Sequence, residues 1–315
     1  GGNGGAGRSS CEGGYPRLLM VKPGSASSEL RVISARRSLP THIGEIWQFR
    51  ELLGGLIRKE LKVRYKNSAL GFVWSMAQPA FLLLVYTFVF SILGAGFKDF
   101  SIWVLCGLIV WTMVSTTLTT SVQSITTNSG LVAKVPFPRA VLPLSTFGSA
   151  LVHFFLQFGT FVVILAIARH RVAWGYLWLL PIAVLVIAIL CAALALLLSV
   201  VNVWARDTQH LLDLALIALF WANPILYEYQ RVSTWFSEHD LPTWLPLVNP
   251  FTSVITTFQR AIYGAANVGD RRLLPDADQW WYLRNLGIVG LLSLGLLAFG
   301  LWVFDRAEGN FAEVL

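Results

Sequence analysis

Long apolar stretches alternate with short polar ones along most of this chain. Six of them predict helices of membrane-spanning character: Leu70–Leu93 with Pro79 inside it, Ile102–Val122, Leu142–Ala168, Leu177–Val203 with Pro181 near its start, Leu211–Tyr227 ending in Asn223-Pro224, and Leu283–Phe304. A helix needs about 20 apolar residues to cross a hydrocarbon core. The segment Trp244–Tyr263 is also apolar, but Pro246, Asn249-Pro250 and Arg260 interrupt it. Broken apolar segments survive at membrane depth only where protein or water satisfies their backbone, so a re-entrant pair of short helices is expected there rather than a seventh span.

A different pattern precedes the first span. Over Thr41–Asn67, Ile46, Phe49, Leu53, Leu56 and Ile57 recur at helical spacing while Arg50, Glu51, Arg58 and Lys59 take other faces. This predicts an amphipathic helix lying at a membrane interface. Gly54-Gly55 weakens or bends it. From Lys59 onward Leu61, Val63 and Tyr65 alternate, which leaves helix continuity open. Residues 1–40, rich in Gly, Ser and Arg, form a low-complexity tail. The expected organisation is therefore this tail, an interface helix over 41–67 and a transmembrane domain over 68–315.

Composition agrees with an all-α integral membrane protein. Only 13% of the 315 residues are charged, and mean hydropathy is +0.62. A soluble domain averages about 25% charged residues. The net charge of +7 is uneven, because residues 1–67 hold 12 of the 24 Lys and Arg. A basic tail against a membrane span reads as attraction to anionic lipid rather than to nucleic acid, worth about 1 kcal/mol per basic residue. With six spans and a cytoplasmic N-terminus, 16 Lys and Arg fall inside and 8 outside, so both termini are expected in the cytoplasm of a multi-pass inner-membrane protein.

Candidates for chemistry are few. His153 lies well inside the third span, and Asp207, Asp213 and Glu228 lie near span ends. They would serve an integral membrane transferase, but no nucleophile–base pair accompanies them. No metal-ligand spacing is visible, Cys106 and Cys191 read as apolar fillers, and no Gly-x-x-x-x-Gly-Lys-Ser/Thr phosphate loop occurs. The loop after the second span is more distinctive: Lys134-Val135-Pro136-Phe137-Pro138-Arg139 puts two cations around a stiff proline-bracketed core.

These elements, taken in order, resemble a known family. The series is the basic amphipathic segment, Tyr65-Lys66-Asn67-Ser68-Ala69-Leu70-Gly71-Phe72-Val73-Trp74-Ser75, Gln78-Pro79, the Lys134–Arg139 loop, Arg206-Asp207, Asn223-Pro224-Ile225-Leu226-Tyr227 and Asn249-Pro250. It resembles the permease subunit of ABC-2 type exporters over about residues 41–315, and most of all the polysaccharide branch that exports O-antigen, teichoic acid or galactan.

The resemblance implies a homodimer of six-span subunits bound to a separate ATPase subunit. ATP and Mg would then sit on that partner, with no cofactor on this chain. It also implies that the interface helix and the Lys134–Arg139 loop touch the ATPase, that the first and fifth spans line a channel, and that the re-entrant helices gate its outer mouth. The cargo would be a glycan on polyprenyl pyrophosphate. Arg58, Arg64 and Lys66 are then candidates for its anionic head. Phe72, Trp74, Phe81, Tyr86, Phe88 and Phe90, with Phe220, Trp221 and Tyr227, are candidate stacking surfaces for sugar. An ABC-2 exporter of a small lipid or drug would share the fold.

Overall fold

The computed structural model describes residues 1, 44, 47–66, 73–93, 99–134, 137–268, 271–308 and 311. The fold below lies in one compact unit, Ala35–Leu315. Its helices are α1 (Arg50–Tyr65), α2 (Val73–Leu93), α3 (Phe100–Val122), the short α4 (Ser124–Thr127) and α5 (Ser129–Lys134), α6 (Val141–Ile167), α7 (Leu179–Trp204), α8 (Thr208–Ala222), α9 (Tyr229–Glu238), α10 (Pro250–Ile262) and α11 (Gln279–Glu308). The strands among the described residues are the two-residue β1 (Asn267–Val268) and β2 (Arg271–Arg272), paired antiparallel.

Among the described residues, four helices, α3, α6, α7 and α11, are long and apolar enough to cross a membrane. Apolar helical stretches of α2 and α8, Ala77–Ile92 and Thr208–Ala222, are shorter. At 1.5 Å per residue α8 extends about 22 Å, less than the roughly 30 Å of a hydrocarbon core. Its C-terminus falls short of the expected Tyr227 because Asn223 turns extended and Pro224 has no N–H with which to continue the ladder.

Contacts between helix ends give the order of the layers. At one end, Thr87 of α2 hydrogen-bonds Ser101 of α3 (2.7 Å), and Asp99 before α3 pairs with His170 after α6 (3.4 Å). At the opposite end, Lys59 of α1 donates to Asn128 between α4 and α5 (3.2 Å), and the Arg139 amide donates to Glu308 at the end of α11 (2.8 Å). The long helices thus run back and forth between two faces. The most extensive pairing is α7 with α11, and α3 is the most enclosed of the long helices.

Helix α1 stays helical through Gly54-Gly55 and through the Leu61–Tyr65 alternation. Tertiary packing decides this. Leu56 is buried, Leu52 and Leu53 pack on the same cluster, and Ile57 rests on α6 where Gly148 allows the closest approach. A Cβ on Gly148 would stand 2.6 Å from the Ile57 Cδ1. The cluster also takes in Ile125, Phe137, Val141, Phe304 and Phe311, so it joins α1, the loop after α5 and the end of α11.

Candidate functional site

The segment between α8 and α11 holds α9, a 3-10 turn and α10. Helix α10 is about 20 Å long and nearly all of its residues are buried. Phe251 meets Trp111 edge-on, and Phe258 meets Phe154 and Phe158. Thr256 and Thr257 turn their hydroxyls back to the carbonyls of Thr252 and Ser253 (2.8 and 2.7 Å), which removes the cost of burying them. Within Trp244–Tyr263, where a re-entrant pair was expected, a 3-10 turn at Leu245–Val248 with no buried residue precedes the enclosed helix α10. The separate helix α9 had no counterpart in the hydropathy pattern, because it is amphipathic and polar on its outer face.

Two Asn-Pro steps meet at this unit. Asn249 caps α10 by accepting the Phe251 amide (3.1 Å), with Pro250 in the first turn, where a missing N–H costs nothing. The Asn249 amide then donates to the Asn223 side-chain carbonyl (3.2 Å), which also accepts from the Thr252 hydroxyl (3.2 Å). The Asn223 amide donates back to the Leu219 carbonyl (2.6 Å), and Gln259 donates to the Pro224 carbonyl (2.8 Å). Asn223 and Gln259 are wholly buried. Next in the chain, Ile225 fills a notch on α3 at Gly107, where an added Cβ would lie 3.1 Å from the Ile225 side chain. The Tyr227 hydroxyl donates to the Trp221 carbonyl (2.7 Å). The motif Asn223–Tyr227 is therefore a clasp between the end of α8, the start of α10 and the wall of α3.

The other end of α10 is tied down as well. Arg260 lies over the Tyr176 ring at 4.3 Å and donates to the Gly264 carbonyl, while the Tyr176 hydroxyl donates to the Ala277 carbonyl (2.9 Å). Tyr263 stands edge-on to the buried Trp103, and His170 contacts the Tyr263 carbonyl (3.3 Å) while pairing with Asp99.

The expected site residues fall in three places. Arg58, Arg64 and Lys66 are all exposed along α1 and at its end. In the Lys134–Arg139 loop, Phe137 and Pro138 are buried, and Arg139 donates to the Glu308 carbonyl and faces the Phe311 ring at 5.9 Å. The Lys134 side chain, Val135 and Pro136 lie outside the described residues. The loop is thus partly an internal fixture, seated against the end of α11.

The aromatic candidates divide in two. Trp74, Phe81 and Phe88 are seven residues apart on α2 and form one exposed stripe, at 58%, 65% and 63% exposure. Trp221 on α8 is exposed beside Leu214 and Ile217. Tyr86, Phe90 and Phe220 instead pack against the core, Phe90 on Phe100 and Phe220 on Trp111. Tyr227 is half-buried in the clasp, and Phe72 lies outside the described residues. The Asn223–Asn249 pairing was not foreseen. Its signal was the repetition of an Asn-Pro step in two apolar segments.

Comparison with known proteins adds to this geometry. A model of the family described as "ABC-2 type transporter" matches residues 51–263, which hold all of α1 but its first residue, the clasp and all of α10. The O-antigen export system permease protein RfbA of Myxococcus xanthus is 29% identical over 272 residues, covering 86% of this chain and 98% of that protein. An O-antigen export system permease protein RfbA of Klebsiella pneumoniae is 27% identical over 267 residues, covering 84% and 95%.

Proposed function

We propose that this chain, which belongs to the ABC-2 type transporter family, is the permease subunit of a polysaccharide exporter. Family and apolar helices together make it a multi-pass membrane protein. The observation that carries the finer reading is the similarity, over most of both chains, to permeases of O-antigen export systems.

In this reading α2 and α8 join the four long helices as spans, giving six, and the α10 unit is re-entrant. The contact of Thr87 near the end of α2 with Ser101 at the start of α3 supports the place of α2 in that count. The exposed stripes of α2 and α8 face a second copy of the chain across a channel, where Trp74, Phe81, Phe88 and Trp221 offer flat apolar surfaces to sugar rings. The cargo is a glycan on polyprenyl pyrophosphate, galactan being one candidate. Its anionic head is met at the inner face by Arg58, Arg64 and Lys66. A separate ATPase subunit docks beside α1 and the Lys134–Arg139 loop and supplies the energy. The α10 unit closes the outer mouth.

The test is depletion of this chain in its host. Lipid-linked polymer is expected to accumulate on the inner face while surface glycan is lost, and the chain is expected to co-purify with an ATP-hydrolysing subunit. A depleted cell with unchanged surface glycan and an altered lipid or drug efflux would replace this reading with that of a small-molecule exporter.

A further inference from the structure

The outer face of α9 is polar, with a single indole at its centre. The helix is anchored at its start: Tyr229 is buried, and the Gln230 amide donates to the Leu273 carbonyl (3.3 Å). Val232, Ser233 and Phe236 are half-buried. Arg231, Thr234, Trp235 and Glu238, with His239 just beyond the helix, are all exposed. At i, i+3, i+4, i+7 and i+8 these five share one face.

Trp235 is held in place on that face. The His239 ring stacks on the indole, centroids 4.1 Å apart and planes 27° from parallel. The His239 Nδ1 is 2.8 Å from the Trp235 carbonyl, which fixes the imidazole as an Nδ1–H donor. One indole face is thus covered and its orientation set, while the side chain remains 51% exposed.

The neighbours of the indole decide what it accepts. A hydrocarbon surface is disfavoured, since Arg231 and Glu238 would both lose water without pairing to the lipid. A phosphate headgroup is disfavoured by Glu238, which lies one turn beyond Trp235 and two turns beyond Arg231 on the same face. One cation and one carboxylate, a hydroxyl and an imidazole around an aromatic platform match a neutral polyol. Its hydroxyls both give and take hydrogen bonds, and its C–H face meets the negative face of the ring.

We propose that the α9 face is a carbohydrate-contact surface at the exit end of the transport path. A sugar ring stacks on the open side of Trp235, Arg231 donates to its hydroxyls and Glu238 accepts from them. This rests on the polysaccharide-export reading. Shallow, one-sided contact suits a moving cargo, because a pathway must bind weakly enough to release.

A benzophenone amino acid in place of Thr234 tests this in the full chain with its ATPase, in cells fed tritiated sugars. Light is expected to give an adduct carrying polymeric tritium. Trp235→Ala in the same chain is expected to cut that adduct at least fivefold, and Trp235→Phe to restore most of it, with unchanged thermal midpoints. An adduct holding phospholipid alone, or no tritiated adduct while chain-dependent surface glycan persists, overturns the proposal and makes α9 a membrane-surface anchor. Should deletion of the chain leave surface glycan unchanged, the export reading falls and this proposal with it.

Discussion

The Asn249 side-chain amide donates to the side-chain carbonyl of Asn223 across 26 residues of sequence, at 3.2 Å. That carbonyl accepts from Thr252 as well, so one buried oxygen holds both the cap and the first turn of α10. Asn223→Leu keeps the volume and removes the acceptor. The two donors left without it are expected to lower stability by about 2–4 kcal/mol. The thermal midpoint of the purified protein measures this. A cysteine replacing the buried Thr256 should also become reactive to a water-soluble maleimide in the variant. A variant with the parent's midpoint and an unreactive cysteine would remove the clasp from the account.

Gly148 sets the distance between α1 and α6. Gly148→Ala places a methyl 2.6 Å from the Ile57 Cδ1, so the Ile57 side chain must turn aside or α1 must move outward. Overpacking of this kind costs about 1–3 kcal/mol. Ile57→Ala in the same chain should recover part of that loss, and a double-mutant cycle on thermal stability reads the coupling. Strict additivity would mean that the two residues do not press on each other.

Arg139 joins the loop after α5 to the end of α11. Its guanidinium donates to the Glu308 backbone carbonyl and meets the Phe311 ring, so Arg139→Ala costs about 1.5–3 kcal/mol, while the bond from the Arg139 backbone amide to the Glu308 carboxylate survives. If this loop transmits the ATPase stroke, the variant should hydrolyse ATP with its partner at near the parent rate while glycan export falls severalfold. The pair Pro136→Gly and Pro138→Gly should act in the same direction by softening the loop. ATPase activity and export measured on one preparation decide the matter. Equal losses in both would point to misassembly.

Gly54 and Gly55 lie inside α1, and a Cβ at either would meet nothing within 4 Å. Glycine in a helix interior is about 1 kcal/mol worse than alanine. Gly54→Ala and Gly55→Ala should therefore each raise the stability of the isolated subunit by roughly that amount, measured by thermal unfolding. A lowered affinity for the ATPase in the same variants would assign the glycines to a close partner contact. Unchanged stability would mean that α1 does not unfold with the rest.

Much of the helical layout was legible locally. The long apolar runs at 102–122, 142–168, 177–203 and 283–304 became α3, α6, α7 and α11 with small shifts at their ends. The hydrophobic stripe through Leu53, Leu56 and Ile57 became the packed face of α1. Pro and Asn residues marked the break after α8 and the start of α10. These features depend on neighbours within a few turns. The interior position of Phe137, the seat of Arg139 on Glu308 and the inward turn of Tyr86 and Phe220 depend on residues far along the chain.

The sequence by itself therefore determined that the protein is helical and apolar, where its four long helices lie, and that cationic residues gather before the first long run. Backbone hydrogen bonding and hydropathy act over short distances and leave a periodic trace. The tertiary structure alone decided that the two Asn-Pro steps bind each other, that α10 is sheathed on nearly every side, and that α9 turns Trp235 outward among charged groups. Each is a pairing of surfaces set by shape and by the need to satisfy buried polar atoms, and such pairings have no period along the chain.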